Sequence, residues 1–97
     1  MDSAEAAQKL AQILVEQRLA ACVHVAGPLM STYCWQGKME SATEWTCVAK
    51  TRAELYDRVE KAMRAVHAYA EPEIVALPII AGSQSYLAWI AAETTAG

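Results

Sequence analysis

No apolar run in the sequence approaches the about 20 residues that a membrane-crossing helix needs. The opening M-D-S-A-E-A-A-Q-K is polar where a secretory leader would be basic and then apolar. A soluble chain in the cytoplasm is the expectation. Basic charge is also scarce. Eight Lys and Arg stand against eleven Asp and Glu, a net charge of -3, and the basic residues are scattered, so the electrostatic footprint of a nucleic-acid or anionic-membrane partner is missing. Neither partner is expected. Cysteine occurs three times, an odd number without paired spacing, which argues against a disulfide framework and fits a reducing compartment. There is no Gly-rich phosphate loop, no G-x-S-x-G, no H-E-x-x-H and no C-x-x-C. Neither a nucleophile with its base nor a complete metal site can be assembled from what remains, so the chain is not expected to be an enzyme.

What is present fits one domain over residues 1–97 with a single small core. Hydrophobic residues make up 55% of it, a surplus that implies apolar surface buried between subunits. Along residues 2–19, Ala6, Leu10, Ile13 and Leu14 recur at helical spacing, and Asp2 with Glu5 resembles a capping box. The run A-A-C-V-H-V is short and β-branched and closes on Gly27-Pro28. Residues 29–35 then alternate, so the two runs predict one long strand bent at Gly27-Pro28. Gln36-Gly37-Lys38 makes a hairpin tip, and residues 44–51 alternate again. A second helix starts at T-R-A-E with Thr51 as its cap and an apolar stripe through Leu55, Val59, Ala62, Met63 and Val66. The run E-I-V-A-L-P-I-I over residues 73–80 is apolar almost throughout, as a strand covered on both faces would be, and Pro78 puts it at a sheet edge. A short last helix follows Gly82 and Ser83. The order α, β-hairpin, α, β, α predicts an α+β fold with helices on one face of a sheet. Two amphipathic helices cover one side only, so a second copy of the sheet is the expected cover for the other.

Few residues offer chemistry. Cys22 and His24 stand two apart on a strand and so share a face, where thiolate and imidazole could both reach a soft ion such as Cu(I) or Zn(II). Two ligands are too few for a closed site, and the favoured reading of Cys22 is a small core hydrophobe with His24 a hydrogen-bonded neighbour, metal being the minority reading. Completing the site requires His67 or a neighbouring subunit. Glu73 entering an apolar strand and Lys50 inside an alternating one each need a partner. The aromatic stretch Y-C-W-Q-G-K-M-E-S-A-T-E-W, with Tyr33, Trp35 and Trp45, is core, ligand site or contact surface.

The blocks R-L-A-A-C-V, S-T-Y-C-W-Q-G-K-M-E, E-W-T-C-V-A-K-T-R, H-A-Y-A-E-P-E-I-V-A-L-P-I and Y-L-A-W-I, in this order and at these gaps, closely resemble the CutA family of divalent-cation tolerance proteins over about residues 2–93. The resemblance implies a ferredoxin-like sandwich with an antiparallel sheet, assembled as a PII-like homotrimer in which Tyr33, Trp35, Lys38, Glu40, Trp45 and Trp89 meet neighbouring subunits. It implies a response to divalent metal ions, with copper or another divalent ion held weakly by Cys22 and His67, and His24 beside them. The alternative it carries is a signalling or scaffold trimer that takes a small anionic ligand in a cleft between subunits at Lys50, Tyr69 and Glu73, near His67. Two departures bear on these expectations. The family has H-P-Y where this chain has Ala68, which frees a backbone angle beside His67. Family members also begin with an apolar strand before the first helix, and Met1 falls where that strand ends, so the expectation is either a truncated chain or a sheet that closes differently.

Overall fold

The computed structural model describes residues 1–66 and 71–94. The first helix, α1 (Ala4–Glu16), begins one residue later than its acidic signal suggests. Ser3 is the N-cap, its hydroxyl accepting the Ala6 N–H at 3.1 Å. The helix stops where Arg18 turns left-handed at φ 58. The Leu19 N–H then returns to the Leu14 carbonyl at 2.9 Å and the Arg18 N–H to that of Val15 at 3.0 Å. That pair of bonds is a Schellman stop, and the leucines it joins, Leu14 and Leu19, are both buried in the core.

The sheet is a long antiparallel hairpin of β1 (Cys22–Trp35) and β2 (Lys38–Lys50). Its tip is two residues, Gln36 at φ 52 and Gly37 at φ 81, and two positive angles in sequence make the turn whose twist matches a hairpin. The register runs Trp35 opposite Lys38 through Leu29 opposite Glu44, breaks between Ala26 and Leu29, and resumes through Cys22 opposite Lys50. Gly27 lies in the break because Trp45 presses on it there. A Cβ on residue 27 would lie 2.5 Å from Trp45 Cδ1.

After β2, a single 3-10 turn (Ala53–Leu55) leads into α2 (Tyr56–Val66). Thr51 does not cap it. Its hydroxyl instead donates to the Leu19 carbonyl at 2.6 Å, tying the end of β2 to the stop of α1. Leu10, Leu14, Leu19, Ala20, Leu55 and Val59 form the core, and Val23, Cys47 and Ala49 pack against it from the sheet. The helices α1 and α2 thus cover one face of an antiparallel sheet, the α+β arrangement expected. Each of those leucines contributes about 1.5–3 kcal/mol by leaving water. The last helix, α3 (Gln84–Glu93), is capped by Ser83, and two arginines hold its far end. Arg18 Nη2 donates to the Ala92 carbonyl at 3.0 Å, and Arg52 donates through Nε and Nη2 to the hydroxyl and carbonyl of Thr94, both at 2.9 Å.

The expected strand over residues 73–80 is not formed. No helix or strand spans these residues, and Val75, Leu77 and Ile80 are 67%, 85% and 93% exposed. The apolar pattern was legible, but a strand needs a neighbour to bond, and among the described residues the far edge of β2 meets only Met1. Between β2 and this segment lies a groove of volume ≈ 1840 Å³. Among the described residues the sheet consists of β1 and β2 alone.

Candidate functional site

The alternation of β1 decides which side chains can do chemistry. Val23 points at the helices, so Cys22 and His24 point the other way, as do their cross-strand partners Lys50 and Val48. Cys22 is half-buried and His24 exposed on this open face, so Cys22 is not the core hydrophobe that A-A-C-V allowed. Lys50 Nζ stands 3.3 Å from His24 Nδ1. An ammonium has only donors, so Nδ1 accepts and the ring proton is on Nε2. Cys22 Sγ lies 3.6 Å from the Tyr86 hydroxyl of α3. The tyrosine hydroxyl is held above its ordinary pKa, first by this hydrogen bond, then by burial and by the charge of the sulfur when ionised. A phenol that keeps its proton is a donor, and a thiolate is what it would serve. Tyr86 in turn packs on Trp89, ring centroids 5.6 Å apart and tilted by 36°.

The site is thus one soft sulfur, one imidazole, one ammonium and one phenol on a half-open sheet face. Among the described residues no three His, Cys, Asp or Glu side chains come together as a metal-holding group. His67, Ala68 and Tyr69, expected at the same site, lie outside the described residues. Glu73 is exposed and shares with Lys50 only the border of the groove beside β2.

The other cysteines are elsewhere. Cys47 faces the helices, its thiol donating to the Ala7 carbonyl at 3.7 Å. Burial pushes its pKa up, and the Met1 ammonium pulls it part of the way back. Cys34 is exposed on the outer hairpin. That outer half also gathers four of the expected contact residues as cross-strand pairs, Tyr33 with Glu40 and Trp35 with Lys38. Trp35, Tyr33 and Trp89 are all exposed in the single chain. Trp45 is half-buried beside Gly27.

Sequence reasoning missed Tyr86 as the partner of Cys22. The two are 64 positions apart, and no periodicity reports which way the last helix swings. The Lys50–His24 contact was within reach. Once the hairpin register places Lys50 opposite Cys22, His24 is its diagonal neighbour on the same face.

A family model described as CutA1 divalent ion tolerance protein matches residues 1–93. The divalent-cation tolerance protein CutA of Thermus thermophilus is 41% identical over 92 residues, 95% of this chain and 89% of that one. A solved structure from the same organism, a divalent cation tolerance protein, superimposes with a TM-score of 0.95 at 40% identity, covering 98% of this chain and 92% of the other. The solved CutA1 of Oryza sativa gives 0.96 at 35% identity, over 100% and 89%. A third structure, from Archaeoglobus fulgidus, gives 0.91 at 40% identity over 95% and 89%, and is described as a periplasmic divalent cation tolerance protein. That description overturns the cytoplasmic expectation. The expectation rested on unpaired thiols and a polar opening, and the fold shows why these were poor guides. Its cysteines are spread over three separate environments, so their failure to pair reflects distance rather than redox compartment.

Proposed function

This chain belongs to the CutA1 divalent ion tolerance protein family, and from that membership we propose that it acts in the response to divalent metal ions as a homotrimer that binds copper or a similar ion through Cys22. The observation that carries the reading is the placement of Cys22. It is the one thiol of the three that is half-buried on the open face, beside an imidazole and a phenol donor. A half-buried sulfur with a hydrogen-bond donor suits a soft ion. One chain supplies too few ligands among its described residues, so His67 or a neighbouring copy would complete the set, with His24 beside it. The exposed Tyr33, Trp35 and Trp89, with Lys38, Glu40 and Trp45 on the same hairpin, would supply the contacts between copies, and the exposed segment around Leu77 gives further apolar surface to bury. The protein would be a binding and response component rather than a catalyst.

The test is a competitive Cu(I) titration of the reduced protein with its mass read by light scattering on the same sample. A trimer with fixed stoichiometry is expected, and Cys22→Ser should lower copper affinity at least tenfold while leaving the mass unchanged. Unchanged affinity removes Cys22 from the site.

One observation favours a second reading, a PII-like trimer that takes a small anion. The Lys50 ammonium sits where it repels a cation and engages the His24 nitrogen that a metal would use. An anion at Lys50, with Tyr69 and Glu73 or their counterparts on a neighbour as its proposed further partners, would relieve that arrangement. A thermal-shift screen of nucleotides and small carboxylic acids tests it. A ligand at 100 times its Kd stabilises by about 2.7 kcal/mol, and Lys50→Met should abolish the shift. No shift with any member of the panel would count against the anion.

A further inference from the structure

Lys50 stands where it opposes any cation that Cys22 and His24 would hold. It lies directly opposite Cys22 in the sheet register, and His24 is its diagonal neighbour on the same face. Lys50 is half-buried, and its Nζ is 3.3 Å from His24 Nδ1. Among the described residues the ammonium meets no carboxylate within 4 Å, so the imidazole is its acceptor. That contact uses up the ring. Nδ1 accepts from Lys50 and Nε2 carries the proton, so neither nitrogen has a lone pair to give. A metal ion taking Nδ1 displaces the ammonium directly. One taking Nε2 sends the ring proton to Nδ1, where it faces a second donor, and the ammonium is expelled again. The backbone of Lys50 does not move with its side chain. The Ala21 N–H donates to the Lys50 carbonyl at 2.8 Å, and the Thr51 hydroxyl is held by the Leu19 carbonyl at 2.6 Å. Both routes for the ion therefore end with the Lys50 side chain swung off His24 and in need of another acceptor.

We propose that this face takes a soft metal ion and a small oxyanion together, with Lys50 as the residue that couples them. The inference rests on the reading of Cys22 as a metal ligand and adds to it the class of the second ligand. Cys22 and His24 hold the ion, and the three N–H donors of the Lys50 head hold the anion, of phosphate, sulfate or carboxylate type. Each ligand favours the same rearrangement, the release of His24 by Lys50. Each therefore raises the affinity for the other by the same factor. Without an anion, Lys50 competes with the ion for the imidazole and adds a like charge beside it. With one, the same ammonium is neutralised and becomes part of the site. Metal and anion are then partners at one place and not alternatives.

The experiment titrates Cu(I) into the reduced protein against a competing chelator, once in perchlorate and once in inorganic phosphate at equal ionic strength. Phosphate is a hard donor with little affinity of its own for a soft ion, so a gain in copper affinity is read at the protein. Phosphate should raise that affinity about fivefold or more, the lower end of ordinary coupling between two ligands. Lys50→Met should bind Cu(I) more tightly than the wild type in perchlorate, by a similar factor, and should show no phosphate effect. In a His24→Gln background most of the Lys50→Met gain should disappear, because there is no imidazole left to release. Equal wild-type affinity in the two salts, or a phosphate effect that survives Lys50→Met, would overturn the coupling and leave Cys22 as a ligand. A Lys50→Met gain kept in full without His24 would do the same, since it would show charge acting at a distance. If Cys22→Ser binds Cu(I) as tightly as the wild type, the metal reading itself fails, and the coupling with it.

Discussion

Arg52 grips Thr94 with two nitrogens. Nε reaches the hydroxyl and Nη2 the carbonyl, both at 2.9 Å, and Thr94 is only 3% exposed. The hydroxyl is further engaged, donating to the Ile90 carbonyl at 2.8 Å. The start of the turn before α2 and the end of α3 are thereby fixed to each other. Removing the guanidinium by Arg52→Ala leaves a buried carbonyl without its charged donor, which costs about 2–3 kcal/mol. Arg52→Lys has one compact donor in place of a fork and should recover less than half of that. Chemical denaturation at one fixed protein concentration reads both, and equal stability of all three proteins would show that the clamp contributes nothing.

Gly27 and Trp45 should fail together. Gly27→Ala drives a methyl into the indole at 2.5 Å, overpacking that costs about 1–3 kcal/mol. Trp45→Leu opens that space, so the double variant should be less destabilised than the sum of the two single ones. Strict additivity in a double-mutant cycle would mean that the glycine is there for another reason.

Two of the three thiols should separate in reactivity. Burial holds the Cys47 thiol protonated above its ordinary range, and its sulfur faces the helices, whereas Cys34 is exposed. A thiolate-selective reagent at neutral pH should label Cys34 at least tenfold faster than Cys47. Acetylating the Met1 amine removes the one charge that lowers the Cys47 pKa and should slow it further. Comparable rates at Cys34 and Cys47 by mass spectrometry would refute this placement.

Acid should weaken α2 through Glu60. Its carboxyl is held below the ordinary 4.5 first by a hydrogen bond from Tyr56 and then by Arg64, whose Nε lies 3.1 Å away. A depressed carboxylate pKa stabilises the fold above the unfolded value, and that contribution is lost as pH falls through the folded one. Glu60→Gln should therefore lower the melting temperature at pH 6 and leave it unchanged well below pH 4. An equal loss at both pH values would assign the effect to packing instead of charge.

The hairpin, its two-residue tip and the core stripe of α1 were legible in the sequence because each is a local pattern. Alternation, an adjacent glycine and the 3.6-residue spacing of Leu10 and Leu14 need no knowledge of the rest of the chain. Thr51 was misread for the opposite reason. The threonine that opens T-R-A-E looks like a cap, but the Leu19 carbonyl, freed by the stop of α1, offered its hydroxyl a tertiary partner at 2.6 Å. Residues 73–80 were legible in composition and wrong in outcome, since apolarity says that a segment seeks cover without saying whether the cover lies in the same copy. At the candidate site, the shared face of Cys22 and His24 followed from parity alone, whereas Tyr86 arrived through the path of α3, which no local signal encodes.

The break in pairing at Gly27 and Pro28 divides the hairpin into two mechanically separate lengths. A slip of one residue in a continuous ladder would turn every side chain over, from the tip down to the rungs beside Lys50. An irregularity ends that propagation, because the ladder on each side takes its registration from its own anchors. The outer half, from Leu29 to Glu44, takes its own from the tip at Gln36 and Gly37, and the inner half from the bonds between Ala21 and Lys50 and between Thr51 and Leu19. Insertions or substitutions at the tip can therefore change the outer hairpin without rotating Cys22 and His24 off their face.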